Sequence, residues 1–383
     1  MSASGMLSRL RWPLGVIIGV VAALLAMPLF SGKDKPAAEA TVGPVLSDCD
    51  GAMRELVIQY TSDSAAIVTK PYQDFLTQLP SAVTVHVVCR DRGAFDELSA
   101  AVGRTDCTLH PVFVGHTMTS WSRDRWICMQ PAGTATAFTL LSPKGEMGAD
   151  AWPERKGDEL IGEDLAAASD IDATAVRSEL YFDGGDFVCD NATAFVTPNV
   201  RKRNLQNTVK TERELLERLK ELLGRNVILL KTAPDHHAGM YMMTVGNGTV
   251  LVGDPRAARE LLTEEEIAAL PLPEGADLSE ETCAKFDAVA EQCRDAGYKV
   301  VRVPVAPGHD GRRFLTYLNC VLDERDCKRV VYMPTFAAAE KLNAAGTKAW
   351  QDLGFEVKPV DCTSCYRFFG SLRCLVNVLS RDK

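Results

Sequence analysis

Near the C-terminus, Gly370-Ser371-Leu372-Arg373 leads into Cys374 and then an apolar, strand-like run to Leu379. A small, flexible pair before a cysteine, a cation beside it and a hydrophobic strand behind it suit a thiolate displayed at the edge of a pocket. A cysteine in an apolar run is otherwise a small core residue, so the nucleophile needs partners elsewhere. Four stretches offer them. Trp121-Ser122-Arg123-Asp124, followed by Arg125 and Trp126, sets two indoles around a carboxylate, which makes either a pocket for a planar cation or a salt-bridged strand end. Asp183-Gly184-Gly185-Asp186 has the paired glycines of a sharp turn or of a close approach by another group; a hairpin entry with solvated acids is the plainer alternative. His236 and His237 would face opposite ways in a strand, so only one of them can enter a given site. Asn319, in Thr316-Tyr317-Leu318-Asn319, is an amide donor in the site or a turn residue. No cysteine or third ligand stands at zinc spacing from the histidines, so neither a metal nor another cofactor is expected.

Short strands recur along the chain with helices between them, which reads as an α/β domain of repeated strand and helix units. Strands are expected at 55–60, 83–88, 109–114, 137–141, 187–197, 227–230, 249–252, 300–305, 329–333 and 375–379. Thr211 opens a helix with a capping-box pattern to Glu214, Leu215, Leu219 and Leu222 share one face, and Gly224 stops it. Further helices are expected over 279–296 and 337–353. Residues 146–179, acidic and rich in alanine, read as a surface insertion with a short helix.

At 383 residues, 46% hydrophobic and 24% charged, the chain can build a sizeable globular core. A net charge of −9 argues against nucleic acid as the main partner and mildly favours a cationic substrate. Residues 1–11 form a short tail, and 12–30 are a continuous uncharged apolar run, long enough to cross a bilayer as an anchor or signal segment. Residues 31–48 read as a linker and 49–383 as the catalytic domain. Twelve cysteines are many for a reducing compartment, and Cys320 with Cys327 would face each other across a hairpin turning at Asp323 and Glu324. Anchor and cysteines together predict a single-pass membrane protein with an extracytoplasmic, disulfide-bearing domain.

The order Trp-x-Arg-Asp, an acid before Gly-Gly, His, Tyr-x-Asn and a C-terminal Gly-x-x-x-Cys resembles the guanidino-group modifying enzymes. Within them it is most similar to the agmatine deiminase and bacterial peptidylarginine deiminase branch, from about Trp121 to the C-terminus. The resemblance implies the pentein fold, a five-bladed α/β propeller of ββαβ units around a central channel. It also implies hydrolysis of a guanidino group, on a small guanidino compound or the arginine side chain of a peptide. Cys374 would attack the guanidinium carbon, and His237 would protonate the leaving nitrogen and then activate water. Asp124 and Asp183 would grip the planar cation, while Trp121, Asp186, Asn319 and Arg373 would line the pocket, Arg373 also favouring the thiolate. The family carries His-x-Asp, and here Gly239 replaces its aspartate. That substitution leaves open a hydrolase of N-substituted guanidines, an amidinotransferase, a clamp completed by Asp186 or another acid, or a pentein that binds guanidines without turnover.

Overall fold

Five sheets repeat one pattern, an antiparallel pair extended by a parallel third strand. The computed structural model describes residues 42–133, 136–147 and 154–382. Three of the sheets are Ile127–Met129, Phe138–Ser142 and Ala173–Arg177; Phe187–Cys189, Thr193–Val196 and Asn226–Leu229; and Met242–Thr244, Thr249–Asp254 and Lys299–Pro304. A fourth is Val321–Arg325, Lys328–Thr335 and Phe355–Asp361. The remaining sheet joins the two ends of the domain: Val376–Asp382 pairs antiparallel with Ala52–Tyr60, and Thr84–Cys89 and Thr108–Phe113 follow in parallel.

A parallel neighbour requires a crossover, and helices supply it. Ala65–Leu76 and Arg92–Val102 serve the sheet of the chain ends, and Ile161–Ala167, Glu212–Leu223, Glu280–Asp295 and Glu340–Gln351 serve the others. Local sequence explains their limits. Thr211 Oγ1 accepts the Glu214 amide at 3.1 Å, Leu215, Leu219 and Leu223 turn inward, and Gly224 ends the helix at φ +58°. Ser279 caps Glu280–Asp295 in the same way.

Several expectations are corrected. The linker stops short of Asp48: the backbone amides of Val45, Leu46 and Asp48 donate to Leu223, Cys128 and Cys189 at 2.8–2.9 Å, so this stretch is part of the fold. The segment 187–197 is two strands, because the Asp190 side chain accepts the amides of Ala192 and Thr193, both at 2.8 Å, and turns the chain. The stretch 146–179 is no mere surface insertion, since it supplies the edge strand Ala173–Arg177.

All twelve cysteines are free, eleven of them buried, so no disulfide holds the domain. The hairpin expected to join Cys320 to Cys327 turns instead at Asp326 and Cys327, with φ +52° and +61°, a pair of left-handed residues that fits a tight hairpin. Cys327 therefore sits in the exposed turn, while Cys320 lies buried before the strand. Residues 12–30 lie outside the described residues, and among those described no helix is long and apolar enough to cross a membrane. With the cysteines acting as small core residues, reductant should leave the thermal midpoint of the protein unchanged; a fall of several degrees in matched melts would reveal a bridge.

Candidate active site

The short helix Leu372–Leu375 places Cys374. Its amide donates to Ser371 O at 3.0 Å, and Asn319 Oδ1 lies 3.3 Å from that amide and 3.5 Å from Sγ. Asn319 thus fixes the thiol rather than marking a turn. Its own Nδ2 is buried without a hydrogen-bond partner. Trp121 closes over the same loop: a Cβ on Gly370 would collide with the indole, so glycine there admits the ring.

Gly184 and Gly185 form a tight turn, Gly184–Asp186, for a definite reason. A Cβ at 184 would strike the carbonyl of Arg123, and one at 185 would strike the imidazole of His237. His237 Nε2 lies 3.5 Å from Asp183 Oδ2, and Nδ1 lies 3.8 Å from Asp124 Oδ1. Burial alone would lower its pKa; the contacts with Asp183 and the Cys374 thiol, and the charges of Asp124 and Asp183, outweigh burial and hold it well above its ordinary value. The imidazole is a proton donor at neutral pH. Its neighbour His236 accepts the His237 amide at 2.7 Å, lies 5.5 Å from the Phe314 ring and is pushed down to about 3, chiefly by burial. One histidine enters the site and the other supports it.

The two carboxylates that flank His237 already hold a guanidinium, that of Arg155. Its Nη1 donates to Asp124 Oδ2 at 2.6 Å, Nη2 to Asp183 Oδ1 at 3.1 Å, and Nε to Glu146 Oε2 at 2.9 Å. Asp183 also accepts from Arg125 at 2.7 Å and Arg203 at 2.8 Å. Burial would raise the Asp183 pKa, yet Arg203, then His237 and Arg155, hold it well below the usual carboxylate range. Asp124 Oδ1 remains buried without a hydrogen-bond partner.

A family model for Porphyromonas-type peptidyl-arginine deiminases matches residues 57–378. The chain belongs to this family. It is therefore a member of the pentein superfamily, an enzyme acting on the C–N bonds of guanidino groups. None of the curated proteins matches it by sequence. Among solved structures, an agmatine deiminase of C. jejuni is 14% identical over 88% of this chain and 97% of that one, with TM-score 0.63. An agmatine deiminase of Enterococcus faecalis is 11% identical over 88% and 96%, with TM-score 0.62. At such identity these likenesses carry the fold.

Of the residues singled out in the sequence, Cys374, His237, Asp124, Asp183, Asn319 and Trp121 come together. Two do not serve as expected. Asp186 is fully buried; it accepts the Asp183 amide and the Thr197 hydroxyl at 2.7 Å each and pairs with Arg203, so it braces the turn and is not available to a substrate. Arg373 is bound at both Nε and Nη2 by Asp48, with Nη2 also donating to Phe187 O at 2.7 Å, so its cation is committed to the scaffold. Arg373 also explains Gly239: a Cβ there would lie 3.1 Å from Arg373 Nη1 and from Asn319 Nδ2. No carboxylate enters from that side, and Glu146 enters from another. Glu146, Arg155 and Arg203 were missed because they lie outside every motif; a basic pair, Arg155-Lys156, inside an acidic stretch was the only signal.

Because the His237 pKa is raised on folding, its stabilising contribution is complete below the unfolded value near 6.5 and is lost as pH rises through the folded value. Urea unfolding of the protein and of His237→Asn should differ most in mildly acidic buffer and converge in alkaline buffer. A gap independent of pH would refute this protonation state.

Proposed function

We propose that the protein hydrolyses the guanidino group of a peptidyl arginine to a ureido group and ammonia through a covalent intermediate on Cys374. The observation that carries this reading is the grip of Asp124, Asp183 and Glu146 on the side chain of Arg155, a guanidinium on a polypeptide, beside a cysteine and a protonated histidine.

In the first half-reaction a substrate guanidinium takes the place of Arg155 between the carboxylates, where paired hydrogen bonds orient its plane and Asp124 Oδ1 gains a donor. The Cys374 sulfur attacks as the thiolate and bonds to the guanidinium carbon, whose C–N double bond opens; His237 gives its proton to one terminal nitrogen, and that C–N bond breaks to release ammonia. A thiouronium remains. In the second half-reaction the now neutral imidazole takes a proton from water, the hydroxide adds to the same carbon, the C–S bond breaks with its electron pair returning to sulfur as the thiolate, and the remaining hydroxyl proton passes to solvent as the ureido product leaves. Asn319 holds the Cys374 backbone amide in place throughout, with Trp121 as an aromatic wall.

In this reading the five repeated sheets are blades arranged about the site, and the pairing of the terminal strand with the first joins them. Residues 12–30 would hold the domain at a membrane, on its extracytoplasmic side, an assignment that rests on the apolar run because the free thiols lend it no support.

The purified full chain should form ureido product from an arginine-containing peptide, and Cys374→Ser should abolish it. Agmatine as the sole substrate would refute the peptidyl assignment, and no product from peptide, agmatine, free or methylated arginine would refute hydrolysis. A tethered competitor acts at an effective concentration on the order of millimolar, so Arg155→Ala should lower KM severalfold; an unchanged KM would place Arg155 outside the substrate's position. Cys327 is the exposed cysteine. A membrane-impermeant maleimide should label it on intact cells and not label Cys327→Ser, whereas labelling only after lysis would put the domain inside.

A further inference from the structure

Away from the site, on the sheet of the chain ends, two histidines and an aspartate meet. His86 and His110 are register partners on the adjacent parallel strands Thr84–Cys89 and Thr108–Phe113, so both rings project from one face, with centroids 5.9 Å apart. Asp170 follows the helix Ile161–Ala167 and reaches both rings with the same oxygen. Its Oδ2 lies 3.8 Å from His86 Nδ1 and 2.7 Å from His110 Nδ1, and the three groups offer ligand atoms within 4.8 Å of one another. Neither Nδ1 has a hydrogen-bond partner, although both are buried and His86 is only 2% exposed.

The far side of His86 is anchored. Its Nε2 lies 2.9 Å from Glu55 Oε2, and the other oxygen of Glu55 accepts from Ser380 at 3.1 Å. With the Nε2 proton on Glu55, the lone pair of His86 sits on Nδ1 and points toward Asp170. A carboxylate behind a histidine is the usual outer support of a metal-binding imidazole, fixing its tautomer and raising its basicity. With no proton on His86 Nδ1, no hydrogen bond can join it to Asp170 Oδ2 at 3.8 Å, whereas a single ion can accept both nitrogens and the oxygen. Ligands about 2.0–2.2 Å from a tetrahedral ion stand roughly 3.3–3.6 Å apart, between the two distances observed here. His110 and Asp170 are partly exposed, which leaves an entry path and an open coordination position.

We propose that His86, His110 and Asp170 bind one divalent transition-metal ion of the zinc class, with Glu55 as outer support and water completing the coordination. The ion would fasten the turn at Asp170, and with it the helix Ile161–Ala167, to the sheet.

The test is titration of the chelator-treated full chain with Zn²⁺ by calorimetry, and with Co²⁺ by visible absorption. The expected result is one saturable equivalent whose cobalt spectrum shows nitrogen and oxygen ligands without a thiolate charge-transfer band. His110→Ala and Asp170→Asn, chosen because both side chains are part-exposed and their loss spares the core, should each weaken binding by at least about tenfold; circular dichroism melts confirm folding. No saturable binding, binding unchanged in both folded variants, or a thiolate signature from the twelve cysteines would each overturn the assignment.

Discussion

Asp48 holds two buried arginines, and the site depends on that arrangement. Its carboxylate binds Arg373 through two guanidinium nitrogens and faces Arg123 Nη2 at 3.4 Å. Burial opposes its charge, but Arg373 and Arg123 outweigh burial and keep its pKa below the ordinary value. Arg123 continues the link, donating to Gly184 O at 3.2 Å and to Asn377 Oδ1 at 2.9 Å; burial, then the charge of Arg373, lower it to about 10. Four distant stretches of chain are thereby tied at one point. Removing one partner of such a buried pair typically costs about 3–5 kcal/mol, since the remaining charge is left stranded. Asp124 and Cys374 are next in sequence to these arginines, so the anchoring of Arg123 and Arg373 also fixes the backbone that presents them.

This division recurs in every motif. Arg123 supports while Asp124 grips, Asp186 braces while Asp183 meets His237, His236 packs while His237 donates, and Arg373 anchors while Cys374 is presented. Motif order and residue type were legible in the sequence, as was the helix from Thr211 to Gly224, because caps, periodicity and glycines act over a few residues. Which member of each pair reacts was not legible, since it depends on partners far away: Asp48 for Arg373 and Thr197 with Arg203 for Asp186. Asp48 itself looked like the end of a linker. The cysteines misled for a related reason, because a buried thiol and half a disulfide are the same letter until the opposing residue is placed.

The least legible feature bears most on the chemistry. Losing the aspartate of His-x-Asp at Gly239 would leave half a clamp if the pocket kept its outline, yet the guanidinium here has three carboxylates around it, Glu146 being the added one. Glu146 and Arg155 come from a stretch whose composition suggested only a solvated face. Asp124 and Asp183 carry like charges on either side of His237, and at an effective dielectric near 20 two charges about 5 Å apart repel by roughly 3 kcal/mol. Arg155 offsets that repulsion while no substrate is bound. In the proposed reaction, entry of a substrate would be an exchange of one guanidinium for another, nearly balanced in hydrogen bonds and in charge, with the carboxylates never left bare. The cost of binding moves from desolvating an empty clamp to displacing the Arg155 side chain of the helix Glu154–Asp158, whose far end is fixed by Asp158 accepting from Thr119 N at 2.7 Å and Thr119 Oγ1 at 2.6 Å. A side chain that swings out while its helix stays pinned would open the site for a substrate guanidinium without unfolding the segment around it.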